Sequence, residues 1–218
     1  GVRVVREAIR WALRGDGALT FGVTSAQVFC RSREGLASPD LQLLFTPASY
    51  DQSRFGVFER EPGASVAVCP VRPQSRGTIM AASSDPLQAP AIRPNYLSER
   101  EDYRVLKAGV DLARKIFAQE PIASVSEGEL APGSDIEDDD AFHDFARRMG
   151  TTLYPPVGTC KMGTDPMAVV DPRLRVHGIE RLRVADASVM PVLTTGNTNA
   201  PTIMIGEKAA VMMLEDVS

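Results

Sequence analysis

The sequence predicts an α+β fold, with an antiparallel sheet flanked by helices and a separate C-terminal strand–loop–helix. Three observations predict it in this 218-residue chain. Short apolar runs between residues 26 and 82 are separated by Pro and Gly, as in an antiparallel sheet. Two stretches with helical period follow, up to Gly150. The chain then closes on a short apolar run, a turn-rich loop and a long apolar helix.

From Val2 to Leu13, helical spacing puts Val2, Val5, Ile9, Ala12 and Leu13 on one face and Arg3, Arg6, Glu7 and Arg10 elsewhere. Gly15-Asp16-Gly17 stops that helix. Strand candidates are Ala26 to Cys30, Leu41 to Phe45, Ala64 to Cys69, and Thr78 to Ala82. Leu41, Leu43 and Phe45 alternate with Gln42 and Leu44, so one sheet face is apolar. Ser98 and Glu101 match a capping box, ahead of a helix with Leu106, Val110, Ala113 and Phe117 as its buried stripe. A second helix is expected from Ser134 to Gly150. Asp135, Glu137, Asp138, Asp139 and Asp140 at its start and Arg147 and Arg148 at its end complement the helix dipole. A strand from Leu182 to Val184 runs into Asp186, and a loop from Thr194 to Asn199 follows. Asn199 is available as N-cap for a helix from Pro201 to Leu214, where a first-turn Pro costs nothing. That helix is apolar on nearly every face, so burial is expected. Free N–H groups at the start of a buried helix suit an anion or a polarised oxygen; a capped core helix of any α/β domain has the same sequence pattern.

Composition narrows the function classes. A chain of this length with 44% hydrophobic residues can bury a proper core. A net charge of −4 argues against nucleic acid and anionic membrane surfaces as partners. No apolar run approaches membrane-spanning length. Cys30, Cys69 and Cys160 are odd in number and widely spaced, which reads as reduced thiols of a cytoplasmic protein. No metal site is expected: neighbouring carboxylates on the acidic helix do not converge, and no His lies at ligand spacing. His143, beside Phe142 and Phe145, reads as a surface or interhelical residue, and His177 as part of a turn.

Four ordered motifs occupy the last third of the chain. They are Y-P-P-V-G-T-C-K-M-G from Tyr154, V-V-D-P-R-L-R-V-H-G-I from Val169, L-R-V-A-D-A-S-V-M-P from Leu182, and G-N-T-N-A-P-T-I-M-I-G-E-K-A-A from Gly196. Together they resemble the C-terminal part of the glucose–methanol–choline (GMC) family of FAD-dependent oxidoreductases. Looser likeness extends to R-P-Q-S-R-G from Arg72 and P-N-Y-L-S from Pro94.

The resemblance implies FAD as cofactor, an alcohol as substrate, and hydride transfer from the carbinol carbon to the flavin. Asn197 matches a family His or Asn that lines the reacting oxygen; an amide donates to a developing alkoxide without titrating. Asp186 and Ala187 match residues near the ribityl and phosphate part of FAD, and Asn197 and Thr198 precede the helix that faces the pyrimidine edge of the flavin. The dipole of that helix favours a reduced, anionic flavin. Two departures accompany the match. The usual G-x-G-x-x-G is absent, so an N-terminal FAD-binding module is the expected partner, with residues 1–150 as an incomplete substrate domain and 151–218 as the return to the flavin domain. Pro155 stands where most members carry the acid/base His, and proline has no titratable group. Alternatives within the resemblance are a catalytically lapsed flavin- or partner-binding homologue and a hydroxynitrile-lyase-type lyase.

Overall fold

The computed structural model describes residues 2–51, 56–134, 136 and 138–216, with Arg3 described by its backbone alone. Helix α1 spans Val2–Arg14. It ends as its sequence predicts, at Gly15 with φ +65°, and the Gly15 N–H donates to Trp11 O at 2.8 Å. Glu7 and Arg10 turn back on the following segment: Glu7 accepts from Ala18 N–H, and Arg10 pairs with Asp16 at 2.7 Å.

Three strands form the main sheet. They are β1 (Ala26–Cys30), β2 (Leu41–Thr46) and β3 (Ser65–Pro70), antiparallel in the order β1-β2-β3. The expected run from Thr78 stops at Met80 as β4 and pairs with β5, Ala91–Arg93, in a second antiparallel sheet. Strand β5 is not among the expected strands: it is three residues long and bounded by Pro90 and Pro94, which hide it from the strand pattern.

Helix α2, Arg100–Phe117, lies across the main sheet, and α3, Asp139–Met149, lies on α2. Alternation along β2 puts Leu41 and Leu43 on the α2 side, where Val66 and Val68 of β3 join them around Val105 and Leu112. Phe45 reaches Phe117 at a centroid distance of 6.5 Å. The expected stripe of α2 is only half of what it buries. Leu106 and Val110 face α3, packing on Tyr103, Phe142 and Ala146. The sheet-facing stripe is Val105, Gly109 and Leu112.

The cap expectations need correction. Ser98 does not cap α2: the cap position is Glu99, without a side-chain hydrogen bond. The Glu101 carboxylate is taken by Arg33 at 2.6 Å and Arg104 at 2.7 Å, charge-assisted bonds that outcompete a neutral cap. Helix α3 starts five residues later than expected, at Asp139 rather than Ser134. Asp138 caps it by accepting from Asp140 and Ala141 N–H, both at 2.9 Å. Asp135 and Glu137 of the acidic run lie outside the described residues. His143 is interhelical, edge-on to Tyr103 at 5.2 Å.

The C-terminal unit has its own core. Val170, Leu174, Val189, Met190, Ile205 and Ala209 are buried together, with Val157, Met162 and Val184 around them. The expected strand at 182–184 is reduced to one bridge, Arg175 to Arg183, flanked by bonds from Val176 N–H to Leu182 O and from Val184 N–H to Leu174 O. A single two-residue partner gives no ladder to extend. Helix α4 runs Asn199–Glu215, and Thr198, not Asn199, holds its cap position. Burial of α4 is also narrower than expected: Ile205 and Ala209 are buried, while Ile203 and Leu214 are 59% and 68% exposed. The apolar residues of α4 point in directions that this chain covers only on one side. At its far end Asp216 accepts from Arg173, Arg175 and Arg183, tying the helix terminus to residues 171–183. The guanidinium groups of Arg175, foremost, and Arg183 hold the Asp216 carboxyl well below the usual carboxylate range. Among the described residues no helix is long and apolar enough to cross a membrane, and no three His, Cys, Asp or Glu side chains converge as a metal site.

A Cβ at Gly109 would stand 2.4 Å from Val68 Cγ1 and 2.8 Å from Leu41 Cδ1, inside the core. Overpacking of this kind costs about 1–3 kcal/mol, which outweighs the ~1 kcal/mol that Ala gains over Gly in a helix. Gly109→Ala is therefore expected to lower the urea midpoint; a raised midpoint would show that the sheet gives way freely. The lowered carboxyl of Asp216 stabilises the fold fully above its unfolded value near 3.9, and the contribution is lost as pH falls from there toward the folded value. Asp216→Asn should thus lower the melting temperature at pH 7, with the gap to the parent closing below about pH 4. A gap independent of pH would contradict the ionic account.

Candidate functional site

The motif from Tyr154 folds as irregular backbone locked onto the C-terminal core. Tyr154 takes φ +78° and Gly158 φ +84°. Gly158 approaches Met190 so closely that a Cβ would lie 3.2 Å from its carbonyl oxygen. Beyond it, Cys160 N–H donates to Ser188 O at 2.9 Å and Met162 N–H to Val189 O at 2.8 Å. Pro155 itself is exposed, beside an exposed Tyr154. His177 contacts Gly163 O through Nε2 at 3.1 Å, so its ring holds backbone.

Asp186 precedes a single 3-10 turn, Ala187–Val189, and caps it by accepting from Ser188 N–H at 2.8 Å. Hydrogen bonding from the Ser188 side chain and then its N–H keeps the Asp186 carboxyl below its ordinary range. Asp186 is exposed, Ala187 is half-buried, and Val189 behind them is fully buried. The carboxylate thus sits beside donors of its own chain.

Asn197 and Thr198 lie between this turn and α4. Thr198 is buried, and its carbonyl accepts from Thr202 N–H at 3.0 Å and Thr202 Oγ1 at 2.6 Å. Its side chain makes no capping bond. The N–H groups at the start of α4, from Asn199 and Ala200, therefore meet no side-chain acceptor from the cap position, and Pro201 has no N–H to add. An open helix start of this kind is a donor set for a polarised ring oxygen. The residues at this end accordingly fit one wall of an FAD site: Asn199 and Ala200 N–H as donors, with Asp186 and Ala187 nearby in the same core unit.

Asn197 also reaches the main sheet, across more than a hundred and fifty residues of sequence. Gln42 Nε2 lies 3.5 Å from Asn197 Oδ1 and 3.1 Å from Gln27 Oε1. A Cβ on Gly196 would stand 3.9 Å from the Phe29 ring, and Thr194 Oγ1 donates to Gly196 O at 3.3 Å. Gln27, Phe29 and Gln42 occupy the sheet face opposite α2, so the 194–197 loop meets the sheet on that face. No local sequence pattern marks these three residues as part of a site. Gln42 reads as the polar half of an alternation, although only 2% of it is exposed. A glutamine in the middle of an otherwise apolar strand was the available signal. Of the expected site residues, Asp186, Ala187, Asn197 and Thr198 flank one core; Pro155 is on the same unit through Val157 and Gly158.

Comparison with known proteins gives consistent results. A family model described as GMC oxidoreductase matches residues 73–206. Human mitochondrial choline dehydrogenase is 44% identical over 203 residues, covering 92% of this chain and 34% of that protein. "Alcohol dehydrogenase [acceptor]" of Pseudomonas putida is 41% identical over 207 residues, covering 95% and 37%. Among solved structures, an Aspergillus oryzae RIB40 formate oxidase, studied for its FAD modification, superposes with a TM-score of 0.87 at 25% identity, covering 99% of this chain and 42% of that one. The chain spans about a third of the length of the curated relatives it matches. Its fold, its ordered motifs and a match over more than half its length agree: the chain belongs to the GMC oxidoreductase family.

Proposed function

We propose that this chain supplies the substrate-facing part of an FAD-dependent oxidoreductase acting on the CH–OH group of an alcohol. The observation that carries the reading is the placement of Asn197, between the polar sheet face of Gln27 and Gln42 and the open start of α4. The names of the relatives, a choline dehydrogenase and an alcohol dehydrogenase, support the substrate class. When bound, FAD supplies the acceptor for hydride leaving the carbinol carbon. The hydroxyl proton passes to a base supplied from outside this chain or to solvent, and the Asn197 amide, donating to the substrate oxygen, binds it more tightly as negative charge grows there. Asn199 and Ala200 N–H, at the positive end of the α4 dipole, would favour negative charge on a ring system held at this end.

The proposed arrangement assigns residues 1–150 to substrate binding and 151–218 to the return toward the flavin. An N-terminal FAD-binding module is the proposed partner. Two observations favour it: relatives about three times as long, and apolar residues of α4 such as Ile203, Met204 and Leu214 that this chain leaves exposed. Without that module the chain is expected to hold FAD weakly and to be inactive alone. A cytoplasmic setting is proposed from the odd number and wide spacing of Cys30, Cys69 and Cys160. A second reading, a catalytically lapsed homologue, is favoured by Pro155, which offers no proton acceptor. The adjacent Tyr154 carries a phenol, which is a poor general base.

Anaerobic flavin reduction by a panel of alcohols in the full-length protein tests the proposal. Bleaching by an alcohol supports it; no bleaching by any alcohol favours the lapsed reading or a lyase. Asn197→Ala is expected to slow reduction about a hundredfold, the usual worth of one oxyanion donor, with flavin retention little changed. Equal rates would reduce Asn197 to a loop residue. Pro155→His should raise the rate toward the 10²–10⁴ that general-base catalysis typically contributes, along a pH profile rising through about 6.5. A fast parent with no gain from His would mean that another group is the base.

A further inference from the structure

Gln42 is buried in the middle of β2, yet its side chain is an amide. The register pairs Phe29 with Gln42 and Gln27 with Leu44, so Gln27 and Gln42 are diagonal neighbours on one face. That face meets the loop carrying Asn197. A primary amide has a donor end and an acceptor end. Gln42 directs its donor end at two acceptors, Gln27 Oε1 at 3.1 Å and Asn197 Oδ1 at 3.5 Å. The acceptor end of Asn197 therefore faces the sheet, and its NH₂ is the end turned away. Inverting the Asn197 amide would set NH₂ against NH₂ and leave a buried donor of Gln42 with one acceptor fewer.

We infer that Gln42 is a positioning residue, fixed in polarity by Gln27, which presents Asn197 with its NH₂ free for the substrate oxygen. The inference rests on the role given to Asn197 above. It goes beyond that role by naming what sets the polarity of the amide. An Asn at the same place but turned over would offer a carbonyl oxygen to a developing alkoxide, and the two would repel.

Two readouts on the full-length protein test it. The first needs neither flavin nor substrate. In protein labelled with ¹⁵N-glutamine and freed of flavin, the Gln42 side-chain amide protons should exchange slowly with solvent. Asn197→Ala should speed one of them about tenfold, the loss of one modest hydrogen bond. Unchanged exchange overturns the contact, whether or not the protein oxidises alcohols. The second readout is anaerobic flavin reduction by the best alcohol. Gln42→Glu supplies only acceptors and should draw the Asn197 NH₂ to the sheet, slowing reduction about a hundredfold with KM changed far less. Combined with Asn197→Ala it should add nothing further, because both act on one hydrogen bond. Gln27→Lys, at an exposed strand position, replaces the acceptor that orients Gln42 and serves if the buried glutamate does not fold; it should slow reduction in the same non-additive way. Losses that add to Asn197→Ala in full, or rates within about twofold of the parent, would make Gln42 an ordinary core residue.

Discussion

The packing of α4 against Val170 and Val189 is the constraint on which the rest of the site depends. Both valines are fully buried, and Ile205 and Ala209 of α4 close over them. The same core takes Val157 from the motif at 154–163 and Ala187 from the 3-10 turn. Three separate segments of the last third of the chain are thereby fixed to one centre. The loop between Met190 and Asn199 has both ends anchored in it. Asn197 can then meet the sheet in one place, where Gln42 and Gln27 wait. A loop held at two ends by dry packing gives the positional precision that the role proposed for Asn197 needs.

How much of this was legible in the sequence differs by element. The strands at 26, 41 and 65 were readable because Leu41, Leu43 and Phe45 alternate, and the structure follows that alternation into contact with α2. The second stripe of α2 was not readable. It depends on Gly109, whose value is the space it leaves for Val68 and Leu41, and a glycine adds nothing to a hydrophobic pattern. The capping box failed for a related reason. Ser98 and Glu101 have the right spacing, but Arg33 arrives from 68 residues away and claims the carboxylate. Local rules cannot anticipate a charge brought in by the fold. The apolar helix at the C-terminus was found with nearly correct bounds, while its burial was overestimated, because a sequence shows that a face is apolar and not what covers it.

The candidate site divides in the same way. Asp186, Ala187, Asn197 and Thr198 were visible through ordered motifs, and they flank one core in the fold. Gln42 was visible only as a residue and not as a site, since its partner Asn197 lies 155 positions downstream. Pro155 is the place where family pattern and chemistry part. The backbone around it keeps a left-handed Tyr154 and a tightly packed Gly158, so the segment is built as a specific shape. What the position lacks is a proton acceptor. The proposed chemistry accordingly places more weight on hydrogen bonding by Asn197 than on acid–base catalysis.

Cleavage of the carbinol C–H bond with the flavin as acceptor is the central claim, and isotopic substitution addresses it most directly. Anaerobic flavin reduction in the full-length protein should be followed with one alcohol that bleaches the flavin and with the same alcohol deuterated at the carbinol carbon. The account predicts that deuteration slows bleaching severalfold in the parent, and that the slowing persists in Asn197→Ala at a lower absolute rate. Bleaching at one rate for both isotopologues, or no bleaching by any alcohol, would contradict it.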